Sequence, residues 1–571
     1  MMGLEEAIEA ARGDRPCDLL ITNARVINVF SESVIDTEVA VSQGMVVGFG
    51  PRRAMREVDI GGRFLAPGFM DAHVHIESAM VCPSEFARAV LPRGTTGVVA
   101  DPHEIANVLG ADGIDYMLTS AAGQPVRFFF ALPSCVPATS METSGASLDA
   151  EALAPFMNHP AVVALAEVMN FPGTIAGDAD ILNKIRSARI ARKPIDGHAP
   201  GLSGKSLHAY LCAGIATDHE CTTPSEAHEK LNAGMRILIR EGTGARNLEA
   251  LLPIIGRRTA HRVLWCTDDR HPHDLLEDGH IDAILRKAIQ KGVDPLLAIR
   301  MATLNVAETY RIPDAGAIAP GRRADLVVFS DLNRPEAETV FVAGRLAAQD
   351  GRLLDSTPLP PPLPCPPAMN LDLNRVDWKI KASGSRIRAI EVIPDQIVTR
   401  EAVLPPCVRN GLATADRARD LVKLMVIDRH SGKTGFAAAF VTGLGLRSGA
   451  LASSVAHDSH NLIVAGVDDA DMALAAASVV NMGGGLAAVR DNAILATQSL
   501  PIGGLMAVDP IQTVRASLDR LIGAARDMGC SLPDPFMTLS FLALPVIPAL
   551  KLTDHGLIDV GRFEIVDLFI D

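Results

Sequence analysis

The stretch Pro67-Gly-Phe-Met-Asp-Ala-His-Val-His75 is the part of the sequence that decides the fold. An apolar run ends there in two histidines one residue apart. Because side chains two positions apart on a β-strand face the same side, the imidazoles of His73 and His75 can converge on one cation. Such a pair is weak support alone, but it stands where a first barrel strand would end, at the edge that holds the active sites of barrel enzymes.

Seven further apolar runs that end in polar residues follow this stretch. They cover residues 97–101, 127–132, 162–167, 194–198, 214–219, 235–241 and 262–268. Helical or loop segments separate most of them. Eight strands alternating with such segments predict an α/β fold built on a TIM-like (β/α)8 barrel, and a doubly wound open sheet is the alternative.

Short alternating strands are predicted on both sides of this barrel, within residues 17–66 and again from residue 324, so a small β-domain is expected from both flanks. A proline-dense stretch then predicts a linker, and the remainder is long enough for a C-terminal α+β domain. The predicted division is 1–66 and 317–355 for the two parts of the β-domain, 67–316 for the barrel, 356–379 for the linker and 380–571 for the last domain.

Composition excludes several classes of function. The 571 residues exceed one hydrophobic core, and the net charge of −14 makes nucleic acid and anionic membrane surfaces poor partners. Nine scattered cysteines without a CxxC pair predict neither a disulfide framework nor a zinc ribbon. The start of the chain lacks the apolar core of a secretion signal, so we expect a cytoplasmic protein with reduced thiols.

Candidate metal ligands end the later strands as well. They are Glu167, His198, His219 and Asp268. Each has an ordinary structural use, such as capping a helix, but their common place at strand ends predicts a binuclear centre. We expect His73, His75 and Asp268 to hold one ion, His198 and His219 the other, and Glu167 to bridge them. Imidazole with carboxylate suits Zn²⁺, Fe²⁺ or Mn²⁺, and water between two cations loses a proton near neutral pH.

Several strings resemble the adenine deaminases, a family of the amidohydrolase superfamily. They are His73-Val-His-Ile-Glu-Ser78, Val99-Ala-Asp-Pro-His-Glu-Ile-Ala-Asn107, Glu167-Val-Met-Asn-Phe-Pro-Gly173, Asp196-Gly-His-Ala-Pro200, Asp218-His-Glu220, Cys266-Thr-Asp-Asp-Arg-His-Pro272 and Ala452-Ser-Ser-Val-Ala-His-Asp-Ser-His-Asn461. The resemblance runs in order over roughly residues 17–565. It implies hydrolytic deamination of free adenine at C6 to hypoxanthine and ammonia, as in purine salvage.

The resemblance also implies two divalent metal ions, with Mn²⁺ or Fe²⁺ favoured and Zn²⁺ an option, and a homodimer. Many relatives in the superfamily bridge their metals with a carboxylated lysine, and Glu167 takes that place here. The small zinc deaminases of nucleobases are a false lead, because this sequence has the HxE part of their signature without PCxxC.

Two carboxylates are predicted to be catalytic. Asp268, beside the nucleophile, is expected to take its proton and pass it to the leaving ammonia. Glu77 stands two residues past His75 and faces the same side if the strand persists, which would let it protonate ring N1 of adenine. Glu77 could equally cap a helix or orient a ligand.

Other polar residues keep more than one interpretation. Asp101, His103 and Glu104 end the second strand and are expected to contact substrate or to orient a ligand histidine, although turn and helix-cap chemistry would use the same residues. The segment His457-Asp458-Ser459-His460 could reach the active site, build a further metal site, or pack the last domain onto the barrel or a partner subunit.

Two rival functions are considered. One is a binuclear hydrolase that opens a cyclic amide, which usually needs an arginine for a substrate carboxylate. The other is a metal-free scaffold relative, which would lack ligands, whereas all six candidates are present in this sequence.

Overall fold

The computed structural model describes residues 3–394 and 396–571, so the first two residues of the predicted β-domain lie outside the described part. Within that part, no helix combines the length and the apolarity that crossing a bilayer requires.

The amino-terminal strands form most of one mixed sheet. The elements are helix α1 (Leu4–Arg12) and strands β1 (Cys17–Asn28), β2 (Ser33–Ser42), β3 (Met45–Phe49), β4 (Ala54–Asp59) and β5 (Phe64–Pro67). Neighbouring residues of β1 enter different cores, because strand side chains alternate in direction. Leu19 and Ile21 pack into one cluster, while Leu20 packs against Ala10 of α1 in another.

Parallel strands make up the central unit. They are β6 (Phe69–His75), β7 (Thr95–Ala100), β8 (Arg127–Leu132), β9 (Val162–Val168), β10 (Ile195–Gly197), β11 (Thr217–Asp218), β12 (Arg236–Arg240), β13 (Val263–Cys266) and β14 (Asp268–Asp269). A strand overlaps each of the eight predicted segments. Strands β6 to β10 pair in chain order with β14 on the other edge of β6, and β11 to β13 form a second parallel ladder.

Helices connect these strands. They are α2 (Pro83–Val90), α3 (His103–Leu109), α4 (Ala111–Ala121), α5 (Ala150–Met157), α6 (Phe171–Ala176), α7 (Ala179–Ile190), α8 (Gly204–Cys212), α9 (Pro224–Asn232), α10 (Leu248–Leu251), α11 (Pro272–Glu277), α12 (Ile281–Gln290), α13 (Pro295–Met301) and α14 (Leu304–Thr309). Side-chain caps start several of them; Asp178 accepts from two backbone N–H groups of α7, and Thr223 accepts from one of α9.

The central sheet is curled. One buried cluster takes side chains from both parallel ladders, including Met70 of β6, Phe129 of β8, Ala164 of β9, Leu238 of β12 and Leu264 of β13. Side chains of the two ladders thus pack against one another, as they do in a parallel sheet that curls. The prediction of a mixed α/β unit around a parallel sheet is therefore confirmed.

The chain then returns to the first sheet. Strands β15 (Leu326–Phe329), β16 (Thr339–Val342), β17 (Arg345–Gln349) and β18 (Arg352–Leu353) extend it to nine strands. The join is antiparallel between β5 and β15, with Ala66 opposite Val327. This sheet therefore contains strands that precede the central unit in sequence and strands that follow it.

The proline-dense segment has no helix or strand between residues 354 and 372 and runs beside α4. The Tyr116 hydroxyl donates to the Leu363 carbonyl at 3.3 Å, and Nε2 of Gln124 donates to the Pro360 carbonyl at 3.3 Å. Because proline has no N–H, this extended segment buries few donors that need partners.

The C-terminal unit carries its own sheets and helices. Its strands are β19 (Ile380–Lys381), β20 (Arg386–Val392), β21 (Thr399–Leu404), β22 (Cys407–Arg409), β23 (Leu412–Thr414), β24 (Val422–Ile427), β25 (Phe436–Thr442), β26 (Ala450–Ser453), β27 (Leu462–Gly466), β28 (Gly485–Arg490), β29 (Ala493–Ser499), β30 (Leu550–Thr553), β31 (Gly556–Asp559), β32 (Glu564–Val566) and β33 (Phe569–Ile570), and its helices are α15 (Asp469–Asn481), α16 (Ile511–Asp527) and α17 (Pro535–Phe541).

The largest C-terminal sheet has the order β21-β20-β25-β24-β27-β26-β28-β29, with β33 beside β20. Helix α16 buries Ile511, Val514 and Leu521, whose spacing puts them on one helical face. Gly485, the last of three consecutive glycines, opens β28. Gly485 has φ +142°, and a Cβ there would lie 2.0 Å from the Gln498 carbonyl oxygen, so close strand approach accounts for this glycine.

Candidate active site

The predicted metal ligands lie together at the carboxyl ends of the parallel strands. His73 and His75 close β6, Glu167 lies near the end of β9, His198 follows β10, His219 follows β11, and Asp268 opens β14. Five of them are buried, and the side chain of His198 is 25% exposed. Parallel strands bring their carboxyl ends to one edge, so residues far apart in sequence meet there.

The first group is His73, His75 and Asp268. The two Nε2 atoms lie 3.2 Å apart. Oδ1 of Asp268 lies 3.0 Å from Nε2 of His75 and 3.4 Å from Nε2 of His73. These three side-chain atoms therefore lie close enough together to hold one metal ion.

Glu167 faces both groups of imidazoles. Its Oε1 lies 3.4 Å from Nε2 of His75 and 3.7 Å from Nε2 of His73. Its Oε2 lies 2.7 Å from Nδ1 of His198 and 3.2 Å from Nε2 of His219. One carboxylate thus offers one oxygen to each pair, which is the arrangement that bridging two cations needs.

The hydrogen bonds of His75 test whether this cluster fits a metal ion. Nδ1 of His75 lies 3.0 Å from the Asp101 carbonyl oxygen, which can only accept, so this nitrogen carries a proton. In neutral His75 the Nε2 lone pair then points at the carboxylate oxygens of Asp268 and Glu167. Lone pairs facing one another need a cation between them, and a carbonyl that fixes the tautomer is a common support of metal-bound histidine.

The local charge agrees with this fit. Burial would lower the pKa of His75, but the neighbouring carboxylates of Asp268 and Glu167 raise it well above its usual range. The pKa of His219 is raised in the same way, against burial, by Glu167 and Glu220. The cluster therefore attracts positive charge strongly, which divalent cations would supply.

Asp268 has an unusual backbone. Its φ is +57°, which lies in the left-handed region. Holding a non-glycine residue in that region costs roughly 1–3 kcal/mol of conformational free energy. Pairing of β14 with β6 sets Asp268 opposite Val74, between the two histidines in sequence. With this backbone conformation, the carboxylate of Asp268 points at the imidazoles of His73 and His75.

Asp101, between β7 and α3, and His103, the first residue of α3, lie beside the cluster. Oδ2 of Asp101 lies 3.0 Å from Nδ1 of His103, and Oδ1 accepts from the His103 backbone N–H at 3.1 Å. Nδ1 of His103 also lies 3.5 Å from Oε1 of Glu167. Asp101 therefore orients His103, and His103 lies close enough to the cluster to be a further ligand.

Glu77 does not continue the strand face of His75, which its spacing of two residues from that histidine had suggested. The strand ends at His75, and residues Ile76–Ala79 form a 3-10 turn, so the condition that the strand persists is not met. Oε1 of Glu77 accepts from the backbone N–H of Ile105 at 3.2 Å, and Oε2 has no hydrogen-bond partner among the described residues. Burial raises the pKa of Glu77 to about 7, although these backbone contacts oppose it.

Glu104 contacts the C-terminal unit. Oε1 lies 2.7 Å from Nδ1 of His457, and Oε2 is hydrogen-bonded to Nε2 of His460. All three side chains are buried. The predicted segment 457–460 thus reaches the residues that follow the second parallel strand, and it builds a Glu-His-His group beside the main cluster.

Glu220 and Arg240 are functional candidates that the sequence did not single out. Oε1 of Glu220 lies 3.3 Å from Nε2 of His219 and 3.7 Å from Nδ1 of His198. Arg240 binds the Glu220 carboxylate and, at 2.7 Å, Oδ2 of Asp268. The signals were present, since Glu220 follows a predicted ligand and Arg240 is the last residue of β12.

Two family models match the chain. One is described as the amidohydrolase family and covers residues 64–347, and the other is described as the adenine deaminase C-terminal domain and covers residues 396–564. Their ranges coincide with the units that carry the ligand cluster and the segment 457–460.

Whole-chain comparisons find relatives named adenine deaminase. The protein of Desulfatibacillum aliphaticivorans is 53% identical over 99% of both chains. That of Syntrophobacter fumaroxidans is 47% identical over 98% of both, and that of Kosmotoga olearia is 44% identical over 100% of this chain and 99% of its own. The resemblance inferred from the sequence strings is therefore confirmed: this chain belongs to the adenine deaminase family of amidohydrolases.

Proposed function

We propose that this chain hydrolyses adenine to hypoxanthine and ammonia. The observation that carries the proposal is Glu167, whose two oxygens face two separate groups of imidazoles. The names of the full-length relatives supply the substrate.

Divalent metal ions fit this site. His73, His75 and Asp268 would hold one, His198 and His219 the other, and Glu167 would bridge them, with Mn²⁺ or Fe²⁺ favoured over Zn²⁺. Bound there, the ions would lower the pKa of a water molecule and make it a nucleophile near neutral pH. The clustering of these donor atoms supports the ligand set.

The contacts of Asp268 support a role in proton transfer. One of its oxygens is held by Arg240, and the other faces His73 and His75. We assign Asp268 as the group that takes a proton from the attacking water as the C6–O bond forms. It then gives that proton to the exocyclic nitrogen as the C6–N bond breaks and ammonia leaves.

Glu77 is assigned as the acid that protonates ring N1. Its pKa of about 7 keeps a proton available near neutral pH, and its unpartnered Oε2 is free to donate that proton. Protonation of N1 would let the ring accept the electron pair that attack at C6 brings in, and the second proton of the attacking water would then return Glu77 to its acid form. Asp101 and His103 would help to hold the ligand cluster in place through the hydrogen bonds between them.

Some finer structural features are proposals as well. We infer that the parallel strands close into a (β/α)8 barrel, because β14 pairs with β6 and the Ala216 N–H donates to the Ile195 carbonyl where the two ladders meet. The domain limits 1–66, 67–316, 317–355, 356–379 and 380–571, a homodimer and a cytoplasmic location stand as predictions from the sequence.

A direct assay tests the function. Protein freed of metal and reloaded with Mn²⁺, Fe²⁺ or Zn²⁺ is offered adenine, and ammonia and hypoxanthine are measured. We expect turnover that follows metal loading and saturates near two ions per chain. Ring opening of a dihydropyrimidine in place of adenine turnover would instead favour a cyclic-amide hydrolase.

A further inference from the structure

A cavity lies at the junction between the parallel-strand unit and the C-terminal unit. Glu77 and Glu104 line it from one side, and His457, His460, Leu505 and Phe536 line it from the other. Its surface is therefore shared by two units that the family models match separately. The lining combines these two carboxyl groups with three histidines, three serines and apolar side chains, a mixture that suits a flat heterocycle with several polar atoms.

Glu104 is held rigidly at this cavity. Nδ1 of His460 accepts from the Ala456 backbone N–H at 3.1 Å, which leaves the ring proton on Nε2, the atom that donates to Glu104. Nδ1 of His457 lies 2.7 Å from the other oxygen. With a donor on each oxygen, Glu104 is a fixed acceptor, and its remaining lone pairs can only receive a further hydrogen bond.

The same cavity holds an unfilled hydrogen-bonding group. Glu77 is 3% exposed, and its Oε2 has no partner among the described residues. A buried polar atom without a partner is costly, so this atom points to a ligand that supplies one. The cavity therefore presents one satisfied carboxylate and one unsatisfied carboxyl oxygen to whatever occupies it.

We propose that Glu104, positioned by His457 and His460, accepts a hydrogen bond from the imidazole-ring N–H of a purine, so that the cavity selects free bases over purines substituted at that ring. The proposal rests on the function proposed above and names the group that sets its substrate class. A free purine carries one such N–H, at N7 or N9, and a nucleoside carries none. A site that hydrogen-bonds an N–H rejects an analogue that lacks it by several orders of magnitude.

The C-terminal unit acquires a role from this arrangement. His457 and His460 touch Glu104 and are positioning residues, because they act on the purine through that carboxylate. Selection for the free base would then depend on two histidines more than 350 residues away in sequence from the carboxylate that they hold.

Substrate series on the Mn²⁺-loaded full chain test the proposal. We expect kcat/KM for adenine to exceed that for 9-methyladenine and 7-methyladenine by at least about 100-fold. Glu104→Gln should reduce this ratio to about 10-fold or less, because an amide N–H can donate to the ring nitrogen that lacks a proton. His457→Gln and His460→Gln should reduce it in the same direction.

Glu85→Gln is the matched control. Glu85 is also a buried carboxylate at this junction, where its Oε2 accepts from the Ile511 N–H at 3.2 Å, but it does not line the cavity. It should leave the ratio unchanged. Equal kcat/KM for adenine and both methylated bases in the wild type, or undiminished discrimination in folded Glu104→Gln, would overturn the proposal; the wild-type series decides even if that variant does not fold.

Binding gives a readout that needs no turnover. Calorimetry should show hypoxanthine bound at least about 100-fold more tightly than 9-methylhypoxanthine by the wild type, and a smaller difference in Glu104→Gln. If metal-loaded protein releases no ammonia from adenine, the proposed function fails, while the binding preference remains a separate result. Equal affinities for the two ligands would reject the cavity assignment alone.

Discussion

Nη1 of Arg240 donates to Oδ2 of Asp268 across 2.7 Å, and the same guanidinium binds the carboxylate of Glu220. Burial alone would raise the pKa of Asp268, but Arg240 and the neighbouring imidazoles hold it well below its usual range. Asp268 therefore keeps one oxygen on a fixed cation and leaves the other free to face His73 and His75.

Replacing Arg240 by glutamine should impair turnover by roughly 10- to 100-fold, because a buried carboxylate loses its cation. The pKa of Asp268 would rise, so the acid limb of the pH profile of kcat/KM should move to higher pH. Arg236→Gln, at the other end of β12, is the control. An unshifted acid limb in Arg240→Gln would separate Asp268 from the titrating step.

Glu167→Gln should weaken metal binding, since an amide is a poor bridge between two cations. We expect bound metal, measured by elemental analysis after gel filtration, to fall from about two ions per chain to one or fewer. Glu249, an exposed glutamate on α10, provides the control Glu249→Gln. Retention of two ions by Glu167→Gln would mean that another residue bridges them.

Metal removal should destabilise the protein. Ions that bind only the folded chain add RT ln(1 + [L]/Kd), which is about 2.7 kcal/mol at a hundredfold excess over Kd. Chelation should therefore lower the melting temperature of the wild type by several degrees, and that of Glu167→Gln by less. Equal shifts in the two proteins would place the stabilising ions elsewhere.

Glu142 should make the protein less stable as pH rises. Burial raises the pKa of Glu142 well above its usual range, and the carboxylates of Asp458 and Asp554 add to this. Its Oε1 has no hydrogen-bond partner among the residues that the structure describes. Because the folded-state pKa is the higher one, its contribution is full at acidic pH and is lost as pH rises through the folded value.

Glu142→Gln should therefore be more stable than the wild type by about 1–3 kcal/mol at pH 8, with little advantage at pH 4. Thermal or urea unfolding across this range measures the difference. Asp149→Asn, a helix-cap change on the same connection, should give no such pH-dependent gain. A constant offset at every pH would contradict ionisation of Glu142 as the cause.

Lys551 should make the protein more stable as pH rises, which is the opposite of the effect of Glu142. Its ammonium donates to the carbonyls of Ile397 and Phe541 at 2.8 Å each, and burial lowers its pKa to about 7. Since the unfolded lysine keeps its proton to about pH 10.4, stability should rise as pH increases from about 7 towards 10. Lys551→Met should flatten this slope, whereas exposed Lys433→Met should leave it intact.

The parts of the fold that follow periodic rules were predictable. Apolar runs that end in polar residues located the strands of the parallel unit, and their common edge brought His73, Glu167 and Asp268 together. The family assignment followed from short strings and is confirmed across the whole chain.

Features that depend on local turns or on packing between units could not be predicted from the sequence. A 3-10 turn redirects Glu77 immediately after β6, and strand periodicity says nothing about where such a turn begins. The contact between Glu104 and His457 depends on how the C-terminal unit packs, which no local pattern encodes. Because an arginine at the end of a strand has many ordinary structural uses, the residue type of Arg240 alone did not indicate its contacts with Glu220 and Asp268.

Pairing of β5 with β15 has a consequence for biosynthesis. Strand β5 leaves the ribosome long before residue 327, its partner for Ala66, has been translated, so one edge of the first sheet stays open while the whole central unit is made. Closing so long a loop is slow, and open edges invite aggregation. The edge of β5 that pairs with β15 should therefore be among the last parts of the first sheet to be covered.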